Sequence, residues 1–359
     1  MTKYLSLALT AIAIVMAGCA HQAGELPDVR LAAADNDFAV SLYKEIAKKD
    51  AGTNIVICPV SVAQAIQLTY NGAAGSTGEA MAGSLGLKGM SITEINRANS
   101  RLIANLESEN IAADMSVTKA IGGTSDFRPQ FSGVARDDYR AEVRRLPKTA
   151  GMTLTTAGYF HGQWLMPFPK SLTREGDFHL PDGRIKRVPM MHREQRLMCC
   201  RVADASVIKL PYGTGRLSMC IILPDEGTSL DRFSKGLDAD KLARWAAGVR
   251  RSDYGLYLPR FDVEWAGSLN RQLKALGMKS AFDPDRADFR HATASRAWIN
   301  GVSHKARIEV DEGGRRAAMA IRMGPKFSMV VDRPFVFVIR DDKSTQILFL
   351  GSVVDPTKN

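Results

Sequence analysis

The first third of the chain places apolar residues at helical spacing. Phe38, Leu42 and Ile46 recur every four residues behind a polar start, which predicts an amphipathic helix over residues 35–49. Similar patterns, with Pro or Gly near the ends of several apolar runs, predict three more helices and then a first strand, over 61–72, 77–85, 92–106 and 116–121. This part of the chain is therefore expected to be mainly helical.

The second half is richer in short strands, which Pro and Gly residues separate. A short helix is expected over 268–276, ended by Gly277. Two apolar runs, VFVIRD and QILFLGSVV, flank Asp342-Lys343-Ser344 and predict a hairpin that closes the fold. With 45% apolar residues, 359 residues can form one large α+β domain, although length alone would also allow two.

Residues 308–335 form the segment with the most distinctive pattern. Ile308 and Val310 alternate with acidic residues, as in a strand, and this pattern breaks at Gly313-Gly314. A second break, at Gly324-Pro325, precedes a further short strand. The segment is therefore predicted to be an exposed loop between two strands.

The first half of this loop also alternates between apolar and other residues. One set of alternate positions is Ala317, Met319, Ile321 and Met323, and the set between them is Arg316, Ala318, Ala320 and Arg322. A half-buried strand alternates in this way. The loop therefore has the pattern of a two-state element that can become a strand. The alternative is an ordinary loop with chance alternation.

Residues 1–18 have the pattern of an export signal. Lys3 precedes the apolar run LSLALTAIAIV, which is too short for a membrane span, and small residues follow it. The run Met16-Ala17-Gly18-Cys19 resembles the bacterial lipobox, in which cleavage leaves the cysteine as a lipidated N-terminus. This resemblance implies a lipid anchor at Cys19. A plain secretory signal with a fortuitous cysteine is the alternative.

The residues after the signal determine the expected location and the domain boundaries. Ala20, rather than an acidic residue, follows the cysteine, which favours the outer membrane or cell surface. A plain secretory signal would instead give a periplasmic or secreted protein. We expect 1–18 to be the signal peptide, 19–34 a tether and 35–359 a single domain.

The formal net charge of the chain is +10, which would suit an anionic partner. The basic residues are not concentrated, however, because Arg144-Arg145, Arg250-Arg251 and Arg315-Arg316 are isolated pairs without interleaved aromatic residues. We therefore expect a solvated basic surface and no nucleic-acid partner. Attraction to a glycan or a membrane is a lesser alternative.

Four cysteines follow Cys19. Cys58 and Cys220 lie in the apolar runs NIVICPV and SMCIIL, and Cys199-Cys200 are neighbours on opposite faces of an expected strand. Cysteine in such runs is commonly a small apolar residue, so structural thiols are favoured. Disulfides stay the alternative in an exported protein, and no spacing fits a metal site.

The sequence carries no recognisable enzyme motif. The histidines are dispersed, none forms an HExxH pair, and neither a GxSxG elbow, a P-loop nor a dinucleotide-binding fingerprint is present. Scattered Ser, His and Asp residues show no spacing that argues for a catalytic triad. The chain is therefore predicted not to be an enzyme.

The run DEGGRRAAMA and the later run DRPFVFVIRDDKSTQILFLGSVVDP resemble the hinge and the C-terminal signature of the serpins, the serine protease inhibitor superfamily. Further similar segments occur in the family's order, namely NIVICPVSVAQAIQLTYNGAAGSTGEAMAGSLGL, GYFHGQWLMPF, RVPMMH, IKLPYGTGRLSMCIILPDEG, LKALGMKSAFDPDRADF and SHKARIEVDEGG. The resemblance implies the serpin fold, with a large mixed or antiparallel sheet, two smaller sheets and surrounding helices. It also implies a monomer without cofactor or metal.

The resemblance implies an inhibitor of serine or cysteine endopeptidases that acts as a suicide substrate through an exposed reactive loop. After the target protease cuts the loop, a hinge enters the large sheet; its residues are Glu312, Gly313, Gly314, Arg315, Arg316, Ala317 and Ala318. Counting from the strand side places the attack at Arg322 or Met323, next to Gly324, whereas counting from the hinge gives Ser328. The alternative is a non-inhibitory serpin-fold surface lipoprotein that binds or displays.

The resemblance also assigns residues to the place where the sheet opens. Ser61, Thr156 and His304 are implied to form a polar cluster beneath its central strands, with Cys58 and Thr156 in place of the family's usual Ser and Asn. Trp164 and Glu312 match residues at the top of the sheet, where the loop begins to enter. Core packing alone is the alternative role for Trp164.

Three features depart from the family pattern. The segment between Tyr139 and Gly162 is too short to hold the helix that usually lies across the large sheet. The loop from Gly314 to Pro334 is shorter than usual. Arg315 stands at the first inward-facing position of the inserting segment, where Thr or Ser is typical, and burying an unpaired guanidinium is unfavourable.

Overall fold

The computed structural model describes residues 29–50, 52–108, 113–123, 126–146, 151–314 and 327–358. Its α-helices, α1 to α8 in chain order, are Val29–Asp50, Pro59–Asn71, Gly75–Ser84, Ile92–Ser108, Pro129–Asp137, Leu230–Lys235, Ala239–Gly248 and Asn270–Leu273. Shorter helical turns are Lys170–Leu172, Lys274–Met278 and Lys279–Phe282. None of the helices in these ranges is both long and apolar enough to cross a membrane.

The first helix begins at Val29 rather than at Asp35, so the predicted tether is too long. Leu31 and Ala34 extend the apolar stripe of Phe38 by one turn and are buried with it in the core. Residues 29–34 therefore belong to the folded domain. The helices predicted after α1 are confirmed with small shifts at their ends, whereas α5, α6 and α7 are additional helices.

The strands, β1 to β14 in chain order, are Ile55–Ile57, Ala113–Gly123, Glu142–Arg145, Met152–Gly162, Arg174–His179, Ile185–Arg201, Ala205–Pro211, Leu217–Pro224, Arg250–Pro259, Phe261–Ser268, Ile299–Val310, Phe327–Val330, Phe335–Asp341 and Ile347–Val353. The predicted C-terminal hairpin is confirmed as β13 and β14, which pair antiparallel from Phe335 opposite Val353.

Five strands form the main sheet, in the order β10-β11-β4-β2-β3. β11 pairs with β4 in parallel, β2 pairs with β3 in parallel, and the other neighbours are antiparallel. The expected mixed sheet is therefore present. Its centre is the parallel junction between β4 and β11, which we call the seam.

The remaining nine strands form one hydrogen-bonded network. The long strand β6 joins its parts, because Ile185–Met190 pairs with β5, Met198–Arg201 pairs with β7, and β9 pairs with the stretch between them. The two smaller sheets of the expected fold are thus continuous in this chain. β12, which follows the predicted loop, pairs in parallel with β9.

A buried apolar core fills the space between the two sheets. Phe160 and Ile308 point inward from the main sheet and pack in one cluster with Phe337 and Phe349 of the nine-stranded sheet. A second cluster joins α1 and α2 to β8, β13 and β14. Burying one large apolar side chain contributes about 1.5–3 kcal/mol, so this packing fixes the positions of β4 and β11.

The main sheet carries polar side chains on the face turned away from this core. The outward positions of β4 and β11 are Thr, Ala, Tyr, His, Ser, Lys, Arg and Glu, and they are half-buried or exposed. Only residues 146–151 separate β3 from β4, and a connection of this length is too short for the covering helix, in line with the prediction. A face of this polarity needs no apolar cover, since antiparallel and mixed sheets tolerate one solvated side.

Candidate functional site

Glu312, the first residue of the predicted hinge, lies just beyond the end of β11 and is 3% exposed. Arg260 donates from Nε to both of its carboxylate oxygens at 2.8 Å, and Thr173 donates its hydroxyl to the same carboxylate. Burial alone would raise the pKa of Glu312, but the hydrogen bonds from Arg260 and Thr173 outweigh it and lower the pKa. Glu312 is therefore an ionised carboxylate that already has its partners.

Trp164 holds the chain on both sides of Glu312. Its indole Nε1 donates to the carbonyl of Asp311 at 2.7 Å, and its backbone N–H donates to the carbonyl of Gly313 at 2.9 Å. The indole is 1% exposed and stacks on Tyr212 with ring centroids 4.1 Å apart. Trp164 therefore packs in the core and also contacts the residues that are predicted to begin the hinge.

Gly314 forms a parallel bridge with Trp164 at the top of the seam. A Cβ atom at this position would lie 2.7 Å from the carbonyl oxygen of Trp164 and 2.7 Å from Cβ of Pro167. A larger residue cannot fit without displacing one of them. The requirement for glycine here comes from close backbone approach.

The structure brings the predicted polar cluster together beneath the seam. The backbone N–H of Cys58 donates to Nε2 of His304 at 3.0 Å, and Oγ1 of Thr156 lies 2.8 Å from Nδ1. Ser61 joins the cluster indirectly, since its hydroxyl donates to the carbonyl of Cys58 at 2.8 Å. The cluster thereby links β4, β11 and the start of α2.

These contacts fix the tautomer of His304. Because Nε2 accepts from Cys58, Nδ1 carries the proton and donates to Thr156, whose hydroxyl can then donate to the carbonyl of Ser303 at 3.3 Å. Burial lowers the pKa of His304 to about 4. The neutral imidazole therefore acts as a structural hydrogen-bonding link between two strands.

Lys119 is a member of this region that the sequence analysis did not identify. It lies on β2 directly opposite Thr156 and is 6% exposed. Burial lowers its pKa to about 8, with Cys58 and Glu107 acting in the other direction. The sequence does contain a signal, since Lys119 falls in the inward set of alternate positions with Val117 and Ile121.

The other residues missed by sequence reasoning are Arg260 and Thr173, which bind Glu312. They lie 52 and 139 positions away along the chain, and neither belongs to a pattern that would associate it with the hinge. Cys58, Cys199, Cys200 and Cys220 are free thiols, in agreement with the interpretation as structural cysteines. Within the described ranges, no three His, Cys, Asp or Glu side chains gather as metal ligands.

Several predicted site residues lie outside the described residues. They are Cys19 and the loop residues Arg315, Arg316, Ala317, Ala318, Arg322, Met323 and Gly324. The predicted roles of these residues stay predictions. The anchors at both ends of the loop are described, namely Gly314 on one side and β12 on the other.

The arrangement offers a place for an additional strand. β4 and β11 pair from Met152 opposite Ile299 to His161 opposite Glu309, and the hinge begins directly above this junction. Backbone hydrogen bonds hold such a junction together, and another strand can replace them. The site is therefore suited to the insertion of an additional strand between β4 and β11.

Comparison with known proteins agrees with this geometry. The model of the family described as "Serpin (serine protease inhibitor)" matches residues 33–149 and 143–356. Serpin B8 of Homo sapiens is 30% identical over 376 residues, covering 91% of this chain and 99% of that protein. Plasminogen activator inhibitor 1 of Bos taurus is 28% identical, covering 92% and 94%.

Solved structures show the same fold. The thermophilic serpin tengpin in its native state superposes with a TM-score of 0.83 at 25% identity, covering 91% of this chain and 94% of that one. Mouse protein-Z dependent protease inhibitor gives 0.84 at 22% identity, covering 92% and 98%. The chain belongs to the serpin family. That family is one of protease inhibitors, and the chain is not an enzyme.

Proposed function

We propose that this protein inhibits serine or cysteine endopeptidases as a suicide substrate. In this mechanism a protease attacks the loop between Gly314 and Phe327, and the cleaved arm then enters the seam between β4 and β11. The covalently held protease is carried along and distorted before it can complete hydrolysis. No catalytic residue of the inhibitor is required.

The parallel pairing of β4 with β11 is the observation that carries the proposal. A strand that follows β11 through a tight turn at Gly313-Gly314 runs antiparallel to β11. Because β4 is parallel to β11, the same strand is also antiparallel to β4. Insertion therefore replaces one parallel ladder by two antiparallel ladders, which are somewhat more stable per residue.

The loop is long enough for most of this seam. The positions from Arg315 to Met323 number nine in the sequence, which extend over about 30 Å at about 3.3 Å per residue. β11 has 12 residues and spans about 40 Å on the same measure. The attacked residue would thus stop about three positions before the far end of β11, and the protease would be displaced by most of the length of the sheet.

Incubation of the full chain with trypsin, chymotrypsin, elastase and papain, followed by a denaturing gel, tests this function. At least one enzyme should give a denaturant-resistant band with the combined mass of inhibitor and protease. The same protease without its catalytic nucleophile should give none. The proposal would be overturned if every enzyme cuts the loop, no such band forms, and cleavage does not raise the melting temperature of the chain.

We also propose that the protein is exported and anchored through a lipid on Cys19, at the outer membrane or cell surface. The lipobox-like run that ends at Cys19 supports this location. Cys19→Ser should release the protein from the membrane fraction or leave it with its signal uncut. Membrane association that is unchanged in this variant would contradict the anchor and favour a periplasmic or secreted protein.

A further inference from the structure

Side chains on the outer face of the main sheet cross the seam. Tyr159 of β4 donates its hydroxyl to Oε1 of Glu309 on β11 at 3.0 Å. Glu309 lies 3.2 Å from Nη2 of Arg307, which also donates to Asp262 of β10 at 2.6 Å. We call Tyr159, Glu309, Arg307 and Asp262 the outer clamp, because together they connect three adjacent strands.

The protonation states of the outer-clamp residues favour the hydrogen bond between Tyr159 and Glu309. Burial and the hydrogen bond to Glu309 raise the pKa of Tyr159, so the phenol stays protonated and can donate. The hydrogen bonds that Arg307 donates to Asp262 raise the pKa of Arg307, which therefore stays charged. A hydrogen bond to a carboxylate is stronger than one between neutral groups.

The bond between Tyr159 and Glu309 differs from the backbone bonds of the seam in one respect. An inserted strand restores backbone hydrogen bonds to β4 and to β11, whereas it separates their side chains by one further strand spacing of about 4.8 Å. A hydroxyl that lies 3.0 Å from a carboxylate cannot keep that contact. The contact between Tyr159 and Glu309 therefore stabilises the closed seam and is lost once the seam is filled.

We propose that the outer clamp holds the seam closed in this chain, where the connection from β3 to β4 is too short for a covering helix, and that it limits how fast the seam opens. This proposal rests on the proposed function in one respect only: the proposed function supplies the reason for the seam to open, which is entry of the cleaved loop. Arg307 and Asp262 keep Glu309 in position, and Tyr159 supplies the clamp's own contact across the seam, next to the contact of His161 with Asp311 at 3.3 Å.

The same face of the sheet offers a matched control. Lys305 of β11 pairs with Glu264 of β10 at 2.9 Å, and this contact joins two strands that stay neighbours when the seam opens. Tyr159→Phe removes only the hydroxyl that contacts Glu309 across the seam. Glu264→Gln weakens a similar contact that does not cross it.

Hydrogen exchange of the backbone amides in the intact full chain tests the outer clamp directly. Tyr159→Phe should increase exchange of the β4 and β11 seam amides about three- to tenfold, as should Glu309→Gln, and the double variant should add little to either. Glu264→Gln should leave the β4 amides unchanged. Seam exchange in Tyr159→Phe equal to that of the wild type would overturn the proposal.

Uptake of a synthetic peptide with the sequence of residues 315–326 separates this inference from the proposed function. Faster uptake by Tyr159→Phe than by wild type supports both. Faster seam exchange without any peptide uptake supports the outer clamp and counts against loop insertion. Equal uptake and equal exchange in the two proteins supports insertion and excludes the outer clamp.

Discussion

His304 can support the seam only while it is neutral. Its Nε2 must accept a hydrogen bond from the backbone N–H of Cys58, and a second proton on the ring would remove that acceptor. The imidazole is 2% exposed, and its burial disfavours the charged form. Protonation of His304 would therefore break the contact that joins β4 and β11 to the start of α2.

Acid should weaken the protein through His304. Its pKa falls from the ordinary 6.5 to about 4 on folding, so the unfolded chain binds the proton more readily. The stability contributed by His304 is complete above pH 6.5 and is lost as the pH falls through about 4. A shift of this size amounts to about 3 kcal/mol, at about 1.4 kcal/mol per pH unit.

Urea unfolding at several pH values between 7 and 4 measures this effect. The free energy of unfolding should fall more steeply for wild type than for His304→Gln, which keeps hydrogen-bonding capacity but does not titrate. Parallel curves for the two proteins would show that His304 does not contribute to the pH dependence.

Lys119 should oppose the stability of the closed sheet at neutral pH. Its pKa of about 8 lies below the ordinary 10.5, so the buried ammonium is unfavourable and its penalty grows as the pH falls from 10.5 to 8. Lys119→Met keeps the length of the side chain and removes the charge. We expect it to raise the free energy of unfolding at pH 7 by about 1–3 kcal/mol. A difference that persists undiminished at pH 11 would indicate a packing effect instead.

Arg315 should obstruct insertion, because it would enter the core face with Ala317 and Met319. Glu312 cannot neutralise it there without leaving Arg260 and Thr173. Arg315→Thr should therefore lower the barrier to insertion by about 2–4 kcal/mol. The measurements are the yield of denaturant-stable complex and the rise in melting temperature after cleavage.

Arg316→Thr serves as the control for that variant, since Arg316 belongs to the outward set of positions and stays solvated. It should behave like the wild type. If wild type already gains tens of degrees on cleavage and Arg315→Thr gains no more, Arg315 is no obstacle.

At the scale of elements, the start of the hinge at Gly314 packs closely against the backbone at Trp164, just after β4. Gly314→Ala would place a methyl group 2.7 Å from the backbone of Trp164, which should lower the free energy of unfolding by about 1–3 kcal/mol. Gly313→Ala would meet only the flexible carboxylate of Asp311, so its effect should be smaller. Urea unfolding of both variants provides the comparison, and equal losses would contradict the proposed fit.

The elements that could be predicted from the sequence are those with a regular apolar period or a continuous apolar run. β11 has such a period, whereas the two strands of the C-terminal hairpin are nearly continuous apolar runs and α2 is rich in apolar residues, and these strands and α2 are buried almost throughout. α6 and α7 carry caps that sequence alone can reveal, since Ser229 and Asp238 each accept a hydrogen bond from a backbone N–H three residues later.

The candidate site could be predicted only in part. Some of its residues lie in segments with a recognisable sequence, whereas others contribute only through tertiary contacts. His304, Thr156 and Trp164 lie in segments that resemble the family, and the structure places them at the seam and at its upper end. Arg260 binds Glu312 across 52 positions, and a contact of this kind depends on tertiary structure rather than on local pattern.

For the whole molecule, the first cleavage should occur at Arg322 or Met323, which agree with the count from β12. Enzymes that prefer basic residues should cut after Arg322, and those that prefer apolar residues should cut after Met323, because the primary pocket selects charge or apolar volume. Mass spectrometry of briefly digested protein identifies the site. First cuts elsewhere, with residues 317–327 intact, would contradict this assignment.

The uncovered outer face of the main sheet also has a consequence for how a spent molecule can be recognised. After insertion, the outward row Arg316, Ala318, Ala320 and Arg322 would lie between Tyr159 and Arg307 with no helix above it. The reacted protein would thus display two additional arginines at the centre of an accessible surface. An antibody or a cation-exchange column could then distinguish used from unused inhibitor without unfolding either form.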